Sequence, residues 1–576
     1  MERNKSFFVK QFHRALFPVM ISVLGGTINA IIDSAFVSRR LDSDALAAVG
    51  LTMPIFLVLC TVGCLFANGG SVASSLALGK NIKDDAGQYY HTSFLLMVVC
   101  SIVFVILGVF CSSFIASILC NDPILFPMVE EYGRIILIGS APFILIYLPN
   151  FYLQLDGKAK DLSIMMGVVI ATDIIFDYLL LFVFDMGVKG AAFASVISML
   201  IATIYGFIRL QMGKGNFKLN LKQLKVVNLK EIALLGSPSA IGNLFDVIRL
   251  AVLNWILYMA GGASAVAVWT VLNSLLELSL CITSGVSRTA SPLLGIYLGG
   301  RDNEGVRMIV DIELRTGLVL SAIYGVVLVL LHGPIEAFFK LDQNLLLPLI
   351  CLGISVMFEL ICSILGSYFN VAKNILVSDM IMFLRTLLFP LLFAFIFYVV
   401  KVNIWLFLPC GMAAVVITSL LLIKAVALRT RGKSHELSSV LLLDGYIEKT
   451  NRVKGLSVVA SDEAICKASE DITEFCISNK MEIKTAKKIG LALEEVLTVM
   501  ARKSLKSETD TVDVRVFSMD GVFGICIICP GVQYDLFQEA EDSDDDFHMG
   551  VQMINKLAEA CIYIYTMGMN VLSVVF

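Results

Sequence analysis

The chain is constrained most by a series of apolar runs, each long enough to cross a bilayer. They lie at 14–38, 46–73, 92–118, 130–154, 162–184, 189–211, 232–259, 264–290, 309–336, 345–370, 376–400 and 402–425. A spanning helix needs about 20 apolar residues, so the longer runs predict tilted helices or helices that extend past the membrane. Only 16% of the residues are charged, against about 25% in soluble domains. The chain therefore reads as a polytopic membrane protein up to about residue 428. Residues 434–576 have ordinary soluble composition, with an acidic run from Glu539 to Asp546.

Twelve spans place both ends on one side. Loops on that side carry Lys80, Lys83, Lys158, Lys160, Lys214 to Lys230, Arg288, Arg301, Arg307 and Lys373. The ends add Arg3, Lys5, Lys10, Arg14, Arg429, Arg431 and Lys433. The opposite loops offer Arg39, Arg40, Lys189, Lys340 and Lys401. The positive-inside rule then predicts cytoplasmic ends in a multi-pass protein of the plasma membrane. The N-terminus is polar and basic, and its first apolar run is long enough to be retained as a span.

ASSLALGKNIKDDA (73–86) resembles ASPLLGIYLGGRDNEG (290–305), each at the end of the second span of a six-span set. The longest loop, 213–230, separates the sets. The expected organisation is a six-helix half at 1–212, a loop at 213–230, a second six-helix half at 231–428, a linker at 429–455 and a domain at 456–576. Two halves in the same orientation imply a pseudo-twofold axis along the membrane normal, a transporter architecture with substrate bound between the halves.

Within this apolar background, acids at membrane depth are costly, about 3 kcal/mol each on insertion scales, and default to functional candidates. Asp173 and Asp177 sit at i and i+4 in IATDIIFDYLLLFVFDMGVKGAAFASVIS (170–198), so they share one helix face. A break at Met186–Gly187 and a small-residue run, Gly190 to Ser195, predict a tight helical hairpin around them. Asp33 follows Asn29 by one turn in the first span. Asp246, Glu277 and Glu359 are secondary candidates, with Arg249, Arg315 and Arg385 as neutralising partners. Carboxylates in such a place can take a proton, or with amide and hydroxyl oxygens hold Na⁺. Either event changes the local charge and biases an inward/outward equilibrium. No metal site is expected: Cys526 and Cys529 form a CxxC inside a strand-like run, where the odd offset puts them on opposite faces.

Residues 1–425 resemble the MATE (multidrug and toxic compound extrusion) family, nearer its DinF-like branch. The motifs are GGTINAIIDSAFVSRRLDSDALAAVGLTMPI (25–55), GGSVASSLALGKN (69–81), FYLQLDGKAKD (151–161), SYFNVAKN (367–374) and the 173–198 hairpin. The resemblance implies that Asp33 and Asp177 are the family's first- and fifth-span acids. It places Asp173 where an Asn is usual and Ser195 where a sixth-span Thr is usual, and makes Pro18 a bending point. It implies a secondary antiporter, not an enzyme, that exports cationic or amphipathic organic compounds in exchange for H⁺ or Na⁺. Its partners would be a small organic substrate, the lipid bilayer and a regulatory protein on the tail, with no cofactor and no nucleic acid. The alternatives are a dedicated exporter of a metabolite or lipid-linked precursor, and a membrane-tethered signalling protein.

The tail shows helical patterns over Asp462–Asn479 and Ile483–Lys503. The strand-like runs VDVRVFSM, VFGICIIC, ACIYIYTM and NVLSVVF follow, with a helix at Gly550–Ala558. The expected fold class is thus an all-α membrane part of two six-helix halves plus an α+β sandwich. The tail resembles the GHKL (Bergerat-fold) ATPases, nearest the anti-sigma-factor serine kinases. Glu495, Gly531, Asp535 and Gly550 match that family's nucleotide site. Val499 stands in place of the Mg²⁺-binding Asn, Cys529 in place of the adenine-reading Asp and His548 in place of a glycine. The resemblance with these losses implies a vestigial nucleotide site and a regulatory or partner-binding role.

Overall fold

The computed structural model describes residues 3–40, 43–120, 122–212, 215–220, 228–339, 344–430, 440–443, 453–505, 510–519, 522–542 and 549–576. The membrane part begins with α1 (Lys5–Arg40), α2 (Ser43–Gly79) and α3 (Lys83–Phe110). The fourth span, α4, is two pieces, Phe126–Ile138 and Ser140–Leu155, bent by 60°. Then follow α5 (Ala159–Val183), α6 (Val188–Gln211), α7 (Leu229–Gly262), α8 (Ser264–Gly299), α9 (Asn303–Leu330), α10 (Leu346–Val371), α11 (Ile375–Val400) and α12 (Ile404–Arg429). Among the described residues eleven helices are long and apolar enough to span, and the bent pair makes twelve.

The break in α4 departs from the single straight span expected at 130–154. Its cause is local: Gly139 ends the first piece outside helical geometry, and Pro142 in the next turn has no N–H to give the helix ladder. Between α7 and α8 the chain turns on Gly261 and Gly262, the latter at φ +65°, which a side chain disfavours.

The internal repeat is visible in the backbone. After α2, α4, α8 and α10 the chain makes the same cap, with a left-handed residue at Asn81, Gly157, Arg301 and Lys373. At each, the left-handed N–H bonds three residues back and the next N–H five back, as in Ile82 N to Ala77 O and Asp302 N to Tyr297 O. This is the Schellman pattern that satisfies the last carbonyls of a helix. The fifth span of each half also carries a π-helical segment, Tyr178–Val183 in α5 and Leu384–Leu388 in α11.

The two halves pack on glycines. A Cβ on Gly69 of α2 would lie 2.0 Å from Ile232 O of α7, and one on Gly79 would lie 2.2 Å from Ile296 O of α8. Backbone meets backbone there, which only small residues permit.

The tail holds β1 (Val453–Val459), α13 (Asp462–Ser478), α14 (Ile483–Lys503), β2 (Thr511–Met519), β3 (Val522–Pro530), α15 (Leu536–Asp542), α16 (Met549–Leu557), β4 (Ala560–Thr566) and β5 (Met569–Val575). The strands form one antiparallel sheet in the order β1-β2-β3-β5-β4. β1 and α15 are additions to the expected elements, and β1 starts inside the stretch expected to be a linker. Strand alternation sorts the side chains: Val514, Val516, Ile525, Ile527 and Leu572 face the core with α13 and α14. Ile528, Ile564 and Val571 belong instead to the cluster formed with the membrane spans. Cys526 and Cys529 fall on opposite faces, as the spacing predicts.

Candidate functional site

Asp173 and Asp177 lie one turn apart on α5 and are 1% and 0% exposed. Helix periodicity alone puts them on one face. Small residues on α6 let that helix close over them: Ala191, Ala192 and Ala194 are fully buried. A Cβ on Gly190 would lie 3.0 Å from Leu180 O. Ser198 Oγ donates to Asp173 Oδ1 at 2.9 Å, and Asn29 of α1 reaches the same carboxylate. The second oxygen, Asp173 Oδ2, is buried and has no hydrogen-bond partner among the described residues. Immediately after Asp177 the helix widens into its π segment, a feature often found at functional sites. Asp33 is carried on α1, and its side chain lies outside the described set.

Three elements thus converge on one buried carboxylate. A charge there needs compensation, because burying an ion without a partner costs several kcal/mol. A proton or a small cation is what such a group can take and release.

Ser195, expected beside the acids, donates instead to Ala191 O of its own helix at 3.2 Å. Ser198, one turn on, makes the contact, and its position relative to α5 is not readable from one helix. Pro18 lies inside α1, and its carbonyl accepts from Ser163 Oγ at 2.8 Å, which ties α1 to α5.

The acids of the second half are arranged differently. Asp246 pairs with Arg249 at 2.9 Å and its side chain is 53% exposed. Glu359 pairs with Arg385 of α11 at 3.0 Å. Both are therefore ion pairs, because a basic residue lies within reach. Glu277 accepts from Asn273 at 3.1 Å, in the field of Arg249. The sequence reading missed Glu313 on α9. It is fully buried, and the Ser287 hydroxyl is the neighbour that faces its carboxyl among the described residues. Its signal was hidden because an acid near a span end reads as a loop residue. Arg288, expected in a loop, lies inside α8, where it donates to Asn150 Oδ1 and sits 4.6 Å from the Phe151 ring, bridging the halves.

In the tail, Glu495 and Gly550 are adjacent: a Cβ on Gly550 would lie 2.2 Å from Glu495 Oε2. Asp535 Oδ1 accepts from Gln538 N at 3.2 Å, which makes it the cap of α15. Gly531 sits at φ +133°, where an added Cβ would lie 2.2 Å from Ser504 O. Val499 and Cys529 are buried in the hydrophobic core, so neither position offers a ligand oxygen. Asn570, unremarked in the sequence, pins this loop. Its amide donates to Ser504 Oγ and Val532 O, and its carbonyl oxygen accepts from Tyr534 N and Tyr563 Oη. Residues 543–548, including His548 and half of the acidic run, lie outside the described residues.

The fold and the buried acids define a class: a polytopic helical membrane protein of two repeated six-span halves, built as transporters are. The family model MatE matches residues 18–179 and 238–396, one match in each half and more than half of the chain together. The chain belongs to the MatE family of transporters. It is 26% identical over 327 residues to a protein named multidrug export protein MepA from Staphylococcus saprophyticus, covering 56% of this chain and 71% of that one. To its namesake from Staphylococcus aureus it is 25% identical over 349 residues, covering 59% and 75%. Among solved structures it resembles MATE in complex with MaL6, with a TM-score of 0.69 at 21% identity over 73% of this chain and 97% of that one. It also resembles an outward-facing multidrug resistance MATE family transporter, with a TM-score of 0.68 at 21% identity over 75% and 100%.

Proposed function

We propose that the protein is a secondary active exporter of cationic or amphipathic organic compounds, driven by inward movement of H⁺ or Na⁺ across the cytoplasmic membrane, in the DinF-like manner. The observation that carries this reading is the buried carboxylate pair Asp173/Asp177, closed in by α6 and reached by Asn29. The relatives named for multidrug export support the substrate class. In this reading, occupancy of the pair by the ion removes a buried negative charge. That shifts the balance between the state open to the outside and the state open to the cytoplasm. Substrate binds between the halves, both chain ends are cytoplasmic, and Asp33 completes the ion site.

The tail, in this reading, is a GHKL-like domain that has lost nucleotide chemistry and serves regulation. Valine and a buried cysteine at two ligand positions support this, as does the use of Asp535 as a helix cap.

The test is efflux of ethidium from cells expressing wild type, Asp177→Asn or Asp33→Asn at matched levels, with a protonophore or without a Na⁺ gradient. The expected result is export by wild type and loss in both variants, with the gradient whose removal stops wild type naming the ion. Export that persists in both variants would remove the ion switch from these residues.

A further inference from the structure

The free face of the tail's sheet is covered, and what covers it is the end of the membrane part where both halves meet. A two-layer domain of this kind uses one sheet face for its own core. The other face here carries Asp513, Arg515, Ile528, Ile564, Val571 and Ser573, all buried. Toward the first half, Thr566 Oγ1 and Met567 N both donate to Leu155 O, at 2.7 and 3.0 Å. Asn81 Nδ2 donates to Ser573 Oγ at 2.9 Å. The turn at Met567–Gly568 lies so close to Gly157 that a Cβ there would sit 2.5 Å from Gly568 N. Toward the second half, Arg515 donates to Gly300 O and Arg301 O, each at 2.7 Å.

Arg3 joins three parts of the molecule. On the N-terminal arm leading into α1, its side chain is 2% exposed and donates to both Asp302 of the second half and Asp513 of the tail. Burial works against both carboxyls. Asp302, with Arg3, Arg515 and Gly305 N–H around it, is nevertheless held below the usual range. Asp513, shut in the sheet with Asp302 and Glu304 nearby, stays above it.

These contacts straddle the place that must part. Gly79 and Gly299, the last residues of α2 and α8, touch: a Cβ on Gly299 would lie 2.8 Å from the Gly79 α-carbon and 2.4 Å from Leu76 O. Opening this end moves Asn81 and Leu155 away from Gly300–Asp302, and one hydrogen-bonded sheet spans both groups. The docked sheet fits only the closed arrangement, so docking must favour that arrangement by its own free energy.

We propose that the tail is a lock on the transport cycle: it clamps the two halves shut at its end of the bundle, and each opening there requires its release. This rests on the reading that the halves rock apart to move substrate.

The test uses full-length protein in proteoliposomes, as wild type, Arg515→Glu and, separately, Ser573→Arg. Both side chains point away from the tail's own core, so the tail keeps its fold. Hydrogen exchange is followed in three places. Residues 153–158 report docking. Residues 65–72 and 232–236 report opening of the helix seam, with Gly69 about 15 Å further along α2 than Gly79. The expected result is faster exchange at 153–158, exchange about tenfold faster at 65–72 and 232–236, and an initial export rate about threefold or more above wild type. The lock is overturned if 153–158 open while the seam stays protected. It is equally overturned if neither variant frees 153–158, since the named contacts then hold nothing. If the seam opens and no protein exports any dye, the lock stands and the exporter reading fails.

Discussion

At the scale of single residues, coupling turns on which oxygens meet the α5 carboxylates. Ser198 donates to Asp173 and Ser195 does not. A hydrogen bond to a charged group is worth about 1.5–3 kcal/mol. Ser198→Ala should therefore slow dye export by about tenfold or more, whereas Ser195→Ala should leave it near wild type. Equal losses in the two, measured as initial efflux rates at matched expression, would show that the contact is not what matters. The acid pair itself was legible in the sequence, because two Asp at helical spacing in an apolar run are too costly to keep unless they serve a site. The choice between two serines one turn apart was not. It depends on the rotation of α6 against α5, which no single helix encodes. Asp246 and Glu359 read as secondary candidates with Arg249 and Arg385 in reach, and the structure pairs each acid with its arginine.

At the scale of elements, small residues do more than permit packing. Gly236 of α7 meets Leu65 of α2 so closely that a Cβ would lie 1.9 Å from its carbonyl oxygen. No rotamer of a neighbour can relieve contact with backbone. Overpacking costs about 1–3 kcal/mol even where side chains can yield. Gly236→Val should thus block closure at the tail end and raise hydrogen exchange at 65–72; unlike release of the tail, which leaves closing possible, it stops the half of the cycle that must close there, so export falls. Unchanged exchange there would contradict the packing argument. In the tail, Asn570→Ala leaves buried donors and acceptors of the 529–534 loop unpaired, at about 1–3 kcal/mol. Faster exchange in β3 and β5, with the membrane spans unaffected, is the expected signature. The helices other than α15 and four of five strands follow from apolar periodicity. β1 was missed because its run is short and lies beside polar linker sequence. The bend of α4 was missed because Gly139 and Pro142 were read as parts of one apolar run.

At the scale of the whole molecule, the tail and the membrane part meet through a face that neither uses for its own core. Arg3 is buried between carboxylates from both, and removing one partner of a buried charge pair costs about 3–5 kcal/mol. Arg3→Ala should therefore loosen the tail. Cys526 reports it: the residue lies on the docked face, and burial pushes its thiol up to about 11. Release exposes the thiol and lets its pKa fall, so the thiolate fraction at a given pH rises and maleimide labelling of Cys526 speeds up. Cys529, in the tail's core, should stay protected. Unchanged labelling of Cys526 would place the docking energy elsewhere. Nothing in the sequence shows this seam, since Asp513 and Arg515 read as the polar side of an ordinary strand. The central claim is that the α5 acids couple an ion to transport rather than hold the substrate. Its most direct test is Asp177→Asn in proteoliposomes, comparing downhill exchange of labelled substrate with uphill accumulation against an imposed H⁺ or Na⁺ gradient. Coupling through these acids predicts that exchange survives and uphill accumulation is lost. Accumulation that persists in Asp177→Asn, or exchange and accumulation lost together, would contradict it.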